Sequence, residues 1–307
     1  MIRRGVRGIA AALTTVVVAM SITIAGAEAA PKRPTTTQPV YVALGDSYAA
    51  GDGAGSYLRD RTTCYRSMKG YPGLIAAENG YALDLQACSG ATTSDVLNLQ
   101  IPSKKLSRST QFVTITVGGN DIGFSDVVST CMGTNEDACL AAVGKAVDLT
   151  EQVLPGRLDQ VFAAAKSKAP NATIVATTYP RLMPAETSCT SLLTNFTATE
   201  TAAMNAGADE LAGVIATSAT SQGIRVADVR GPFVGHAVCD SQAWIHNASL
   251  FNQYESFHPN ATGYASGYKP TVAGVLGGTA TGTAATVTTG GTTSSDTTRG
   301  TVKLPKN

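Results

Sequence analysis

Ser47 lies in the stretch Leu44-Gly45-Asp46-Ser47-Tyr48-Ala49-Ala50-Gly51-Asp52-Gly53, directly after the apolar run Val40 to Leu44. A serine leaving a buried strand between glycines can offer a substrate both its hydroxyl and its backbone N–H. Alone, a Gly-Asp-Ser tripeptide would also suit any strand-to-helix turn, and the segment lacks the GxSxG elbow of ordinary lipases. Two later stretches supply what such a serine needs. Gly118-Gly119-Asn120-Asp121 follows another apolar run, and His258-Pro259-Asn260 lies near the end of the region expected to fold. Together they read as a nucleophile (Ser47), a side-chain donor for an oxyanion (Asn120) and a general base (His258).

The chain has three histidines, His236, His246 and His258. An imidazole is the side chain best suited to take and return a proton near neutral pH. His258 is followed by Pro259, which fixes the local backbone, and then by an expected last helix; the other two have no comparable setting. Asp46 and Asp121 read as supports for their loops, and Asp52 as a solvated loop residue.

These side chains need a scaffold, and apolar strand-like runs at 39–44, 82–87, 111–117, 172–178 and 224–229 provide one. Between them, 72–79, 92–100, 140–168 and 197–221 read as helices, the third interrupted at Pro155-Gly156. Largely apolar strands separated by helices indicate a parallel sheet covered on both faces, with the active site at the carboxyl ends of the strands. Ser47 and Asn120 both fall just past such ends.

Length and charge narrow the function. The chain has 307 residues, 43% hydrophobic, and a formal net charge of +1. That suits one sizeable core and gives no electrostatic case for nucleic acid or an anionic membrane. Arg3, Arg4 and Arg7, the apolar run Ile9 to Ile24 and Ala27-Glu28-Ala29 form a signal peptide over residues 1–29. A short leader at 30–37 precedes the domain at 38–277, and a Gly/Thr/Ser-rich tail, 278–307, is expected to be disordered. No later segment is long and apolar enough to span a bilayer. Six cysteines in an exported chain suggest disulfides; the residues alone favour only the local pair Cys131–Cys139. With no CxxC spacing and no dense carboxylate loop, no metal is expected.

Gly45-Asp46-Ser47, Cys88-Ser89-Gly90, Gly118-Gly119-Asn120-Asp121 and His258-Pro259-Asn260 occur in the order seen in SGNH hydrolases, the GDSL esterase/lipase family. The four blocks span nearly the whole domain, and the chain resembles the secreted actinobacterial lipase/esterase branch. The resemblance implies a three-layer α/β/α sandwich with a central, mostly parallel five-stranded sheet. Ser47 would attack the ester carbonyl, and the N–H groups of Ser47 and Gly90 with the Asn120 amide would bind the oxyanion. His258 would shuttle the proton. Implied disulfides are Cys64–Cys88, Cys131–Cys139 and Cys189–Cys239. Many family members carry Asp three residues before the histidine, where this chain has Glu255. Glu255 is the expected orienting acid, with a backbone carbonyl as the alternative used by some relatives.

The reading is a secreted, extracellular serine ester hydrolase without cofactor, acting on a lipid or other fatty acyl ester, with a monomer expected. A carbohydrate esterase removing acetyl groups from polysaccharide would use the same machinery. Aromatics at 6% and a single tryptophan, Trp244, limit platforms for stacking sugars. A non-catalytic binding module is the rival of another class; intact Ser47, Asn120 and His258 argue against it.

Overall fold

Six residues, Val40–Gly45, form strand β1, and all but the first are buried. In the computed structural model, which describes residues 37–185 and 187–278, β1 leads straight into the one-turn helix α1 (Ser47–Ala50). Helix α2 (Tyr71–Asn79), strand β2 (Ala82–Leu85), and a short helix α3 (Thr93–Asp95) that continues as the π-helical turn Val96–Gln100 come next. Strand β3 (Phe112–Thr116) is followed by helices α4 (Phe124–Cys131), α5 (Glu136–Gln152) and α6 (Leu154–Lys168) and by strand β4 (Thr173–Thr177). A two-stranded antiparallel ribbon, β5 (Cys189–Thr190) and β6 (Asn195–Phe196), precedes the long helix α7 (Ala198–Ser221) and strand β7 (Arg225–Ala227). A π-helical turn, Gly263–Tyr268, runs into the last helix, α8 (Lys269–Gly277).

The main sheet has five strands in the order β2-β1-β3-β4-β7, all parallel. Chain order reverses between β1 and β3, and a crevice opens at such a reversal beyond the carboxyl ends of the strands. Helices α2 and α8 pack together on one side of the sheet, and α4, α5, α6 and α7 form the other group. This is the expected α/β/α sandwich. Strand side chains are mostly apolar because both faces are covered. Where hydroxyls are buried they pair: Tyr41 with Thr114 at 2.8 Å, Tyr71 with Thr116 at 2.9 Å, and Thr116 with Thr177 at 2.7 Å.

The expected strands and most helices are present. The long helical run breaks at Val153, with Pro155 in the first turn of α6, where a missing N–H costs nothing. It begins earlier than its apolar pattern, because Asn135 caps Ala138 N at 3.0 Å and Glu136 and Asp137 fill the first turn. Helix α4 and the β5–β6 ribbon were not expected. All six cysteines are paired, as Cys64–Cys88, Cys131–Cys139 and Cys189–Cys239. No helix among the described residues is long and apolar enough to cross a membrane. The expected signal peptide, all of the leader but Thr37, and all of the tail but Gly278 lie outside the described residues.

Candidate active site

The turn from β1 into α1 fixes Ser47. Gly45 has φ 133°, and a Cβ there would stand 2.0 Å from the Thr116 carbonyl oxygen on β3, so the turn requires glycine. Gln100 holds the same residue from both sides, donating to the Gly45 carbonyl at 2.8 Å and accepting from its N–H at 2.7 Å. Asp46 caps α1, accepting from Tyr48 N at 3.0 Å and from the Tyr179 hydroxyl. Burial pushes the Asp46 carboxyl up to about 7.

His258 reaches Ser47 from the far end of the chain. Its Nε2 lies 2.7 Å from Ser47 Oγ, and its Nδ1 lies 2.9 Å from the Ser256 carbonyl oxygen. A carbonyl only accepts, so Nδ1 carries the proton and Nε2 offers its lone pair to the serine hydroxyl. Burial pushes the imidazole down to about 4, against the opposing pull of the Ser256 carbonyl, so the ring is neutral across the physiological range.

Glu255 is not the partner of His258. Its Oε1 accepts from the Tyr57 hydroxyl at 2.6 Å, and that hydroxyl accepts from Gly53 N at 3.0 Å. The tight turn between them explains the correction. His258 N donates to the Glu255 carbonyl at 3.1 Å, and Phe257 adopts φ 61°. The turn brings the Ser256 carbonyl to Nδ1 and leaves the Glu255 carboxylate on Tyr57.

A bulky residue at positive φ is costly and persists only where its surroundings hold it. Phe257 is buried. Its N–H donates to His246 O at 3.0 Å, and its carbonyl accepts from the Tyr48 hydroxyl at 2.7 Å. His246 N in turn donates to His258 O at 2.9 Å. The other two histidines have structural bonds: His246 Nε2 donates to Gly53 O at 2.9 Å, and His236 Nδ1 donates to Gln242 O at 2.8 Å while stacking on Trp244.

Gly90 and Asn120 line the same open groove as Ser47 and His258. The N–H groups of Ser47 and Gly90 have no hydrogen-bond partner among the described residues. Asn120 Nδ2 donates one hydrogen to Ala91 O at 2.9 Å, which leaves its second N–H to point elsewhere. Asp121 fixes this loop, accepting from Thr93 N at 2.9 Å and Thr93 Oγ1 at 2.6 Å and pairing with Arg157 at 3.2 Å. Tyr179 fixes it from below, accepting from Gly119 N at 3.2 Å. The Gly90 loop is stapled by Cys64–Cys88 and by Ser89 Oγ, which donates to Asp52 at 2.7 Å. Asp52 is therefore not solvated: it is fully buried, and burial pushes its carboxyl up to about 8.

Two spaces meet at Ser47. One is a narrow, chiefly apolar cavity of about 80 Å³ running between α4, α5 and α7, lined by Ile122, Val127, Val143, Leu182, Met204 and Leu211 among others. The other is an open groove of about 510 Å³ bordered by Gly90, Asn120, Met132, Leu193, Leu250 and Tyr254. Sequence periodicity gave no sign of either, since their walls come from helices and loops distant in the chain.

The model of the GDSL-like Lipase/Acylhydrolase family matches residues 43–266, a span that holds Ser47, Gly90, Asn120 and His258. The chain belongs to the GDSL-like lipase/acylhydrolase family. It is a carboxylic ester hydrolase. It is 40% identical over 263 residues to Lipase 1 of Streptomyces coelicolor, covering 85% of this chain and 96% of that one. Two solved structures resemble it throughout the domain. An extracellular lipase from Streptomyces rimosus matches with TM-score 0.72 at 42% identity, over 76% of this chain and 98% of its own. Phospholipase A1 from Streptomyces albidoflavus NA297 matches with TM-score 0.73 at 42% identity, over 77% and 98%.

Proposed function

We propose that Ser47 and His258 act as a catalytic dyad that hydrolyses fatty acyl esters through an acyl-enzyme, in the exported protein. The 2.7 Å contact between Nε2 and Oγ, opening onto an apolar cavity, carries this reading. Ser47 Oγ attacks the ester carbonyl while His258 Nε2 takes its proton. Negative charge on the carbonyl oxygen is met by the N–H groups of Ser47 and Gly90 and by the free amide hydrogen of Asn120. The imidazolium, steadied through Nδ1 by the Ser256 carbonyl, returns the proton to the departing alcohol. Water then enters by the same steps and releases the acid. Export is supported by the N-terminal targeting pattern, the three disulfides and the relation to an extracellular lipase.

The two spaces suggest a division of labour. The narrow cavity takes one acyl chain, and the open groove takes the alcohol portion. Gly207 on α7 borders the cavity, where an added Cβ would stand 3.6 Å from Val143 Cγ1 and 3.7 Å from Val147 Cγ2. A single methyl fits there, but a leucine side chain would occupy the cavity. Hydrolysis rates across acetyl, butyryl, octanoyl and palmitoyl esters test the proposal. Wild type should favour octanoyl over acetyl, and faster deacetylation of acetylated xylan than hydrolysis of octanoyl ester would overturn the fatty acyl reading. Gly207→Leu should lower the octanoyl-to-acetyl ratio of kcat/KM by about tenfold or more, with acetyl turnover nearly unchanged. An unchanged ratio would remove the cavity from the acyl site.

The base must be neutral to accept the serine proton, and it is neutral above its pKa. Because burial lowers the His258 pKa to about 4, the acid limb of kcat/KM should fall near pH 4 and not near the ordinary imidazole value of about 6.5. A pH profile of a soluble ester measures this directly; a limb at pH 6 or above would show that burial does not lower the His258 pKa.

A further inference from the structure

Three large apolar side chains stand out in water at the rim of the groove: Leu192 is 97% exposed, Phe251 94% and Leu250 65%. Leu192 tips the β5–β6 ribbon, and Leu250 and Phe251 tip the loop before Gln253–Glu255. The two tips are neighbours. Leu193 and Leu250 border the same groove as Ser47 and His258, and the Asn247 side chain lies 3.4 Å from both Ser191 Oγ and Thr194 Oγ1. Each tip is braced from behind. The ribbon is anchored by Cys189–Cys239, and the loop is closed by Ser249 N donating to Ser256 Oγ at 2.9 Å and Asn252 N donating to Ser249 Oγ at 3.1 Å. Neither segment, 187–195 nor 247–254, contains a charged residue.

We propose that Leu192, Leu250 and Phe251 form a docking tip that inserts into an uncharged or zwitterionic lipid surface and places the mouth of the groove against it. The proposal rests on the reading that Ser47 cleaves fatty acyl esters. Continuity with the groove names the occupant, because whatever covers the tip also covers the entrance to Ser47. Exposed apolar clusters on braced loops gain free energy by leaving water, and tips without Lys or Arg bring no cation of their own to anionic headgroups. A surface docked there would deliver an acyl chain to the catalytic serine without first carrying it through water.

The test uses the full chain and phosphatidylcholine vesicles. In a Ser47→Ala background, adding Leu192→Ser and Phe251→Ser should weaken vesicle binding by about tenfold or more, and 1 M NaCl should leave the binding of the unaltered tip unchanged. With Ser47 intact, the same double variant should lose hydrolysis of lipid in vesicles while hydrolysing a monomeric, water-soluble butyrate ester within about twofold of wild type. Phe251→Trp should show a blue-shifted emission on vesicle addition beyond that of Trp244 alone. Unchanged vesicle binding, salt-sensitive binding, equal losses on both substrates or no emission shift would each overturn the docking tip. Wild type inert toward the butyrate ester would instead overturn the catalytic reading, and the Ser47→Ala binding assay keeps the two failures distinct.

Discussion

Ser47→Ala and His258→Ala should each lower ester hydrolysis by about 10⁴-fold or more, and Glu255→Ala should stay within about threefold of wild type. The first two remove the attacking atom and the base in contact with it, 2.7 Å apart. Neither should unfold the domain, since Ser47 adds little packing and the loop around His258 keeps its backbone bonds to residues 244–246. An organophosphonate should label Ser47 alone; labelling of another serine would overturn the assignment. Glu255→Ala makes the contrast. In a Ser-His-Asp triad, changing the acid to its amide costs about 10⁴ in turnover, because the imidazole loses its tautomer and its stabilised cation. Here the acceptor at Nδ1 is the Ser256 carbonyl, which the substitution leaves in place. What Glu255→Ala removes is the acceptor for Tyr57, a loss of about 1 kcal/mol of stability. A fall of a hundredfold or more in kcat for Glu255→Ala, with the protein still folded, would return the acid to the mechanism.

Asn120→Ala should lower kcat by about 10²–10³, with KM little changed. The amide matters only when the carbonyl oxygen carries charge, so its loss raises the barrier without weakening the ground state. The substitution also frees the Ala91 carbonyl, which accepts from Nδ2 at 2.9 Å, so a modest drop in Tm should accompany it. Asn120→Asp separates the two effects. It keeps the size of the side chain but places a negative charge where the oxyanion forms, and should be at least as damaging. Turnover within about twofold of wild type in Asn120→Ala would make the residue a loop support only.

Much of this was legible in the sequence, for physical reasons that also mark where legibility ends. The five strands are short, apolar and bounded by helical patterns, which a two-sided parallel sheet requires. Ser47 and Asn120 could be placed because they follow such strands directly. Helix α4 was missed because it is only eight residues long and starts from Gly123 in a left-handed conformation, with no side-chain cap to announce it. The ribbon was missed because two-residue strands carry no alternation. Glu255 was expected on His258 because the resembling family carries an acid three residues before the histidine, but that position does not show the backbone direction. That direction is set at Phe257, where φ is positive and no glycine signals it. Asp52 looked solvated because its sequence neighbours are glycines; its cover comes from Ser89 and from the π-helical turn, whose Tyr264 hydroxyl donates to the Asp52 carbonyl at 2.9 Å.

The Tyr48 hydroxyl bonded to the Phe257 carbonyl joins the immediate neighbour of Ser47 to the immediate neighbour of His258 across 209 positions of sequence. Its ring also lies against the imidazole, with centroids 4.9 Å apart. One tyrosine thus ties the nucleophile segment directly to the base segment, beside the strap bonds to His246 and Trp244. Segments of that interval that only wall the cavity or rim the groove, such as α5 and the tip of the β5–β6 ribbon, can exchange side chains for new esters while the reacting atoms keep their spacing. In evolutionary terms, this direct tie lets the pocket walls vary for new substrates without moving the pair that does the chemistry.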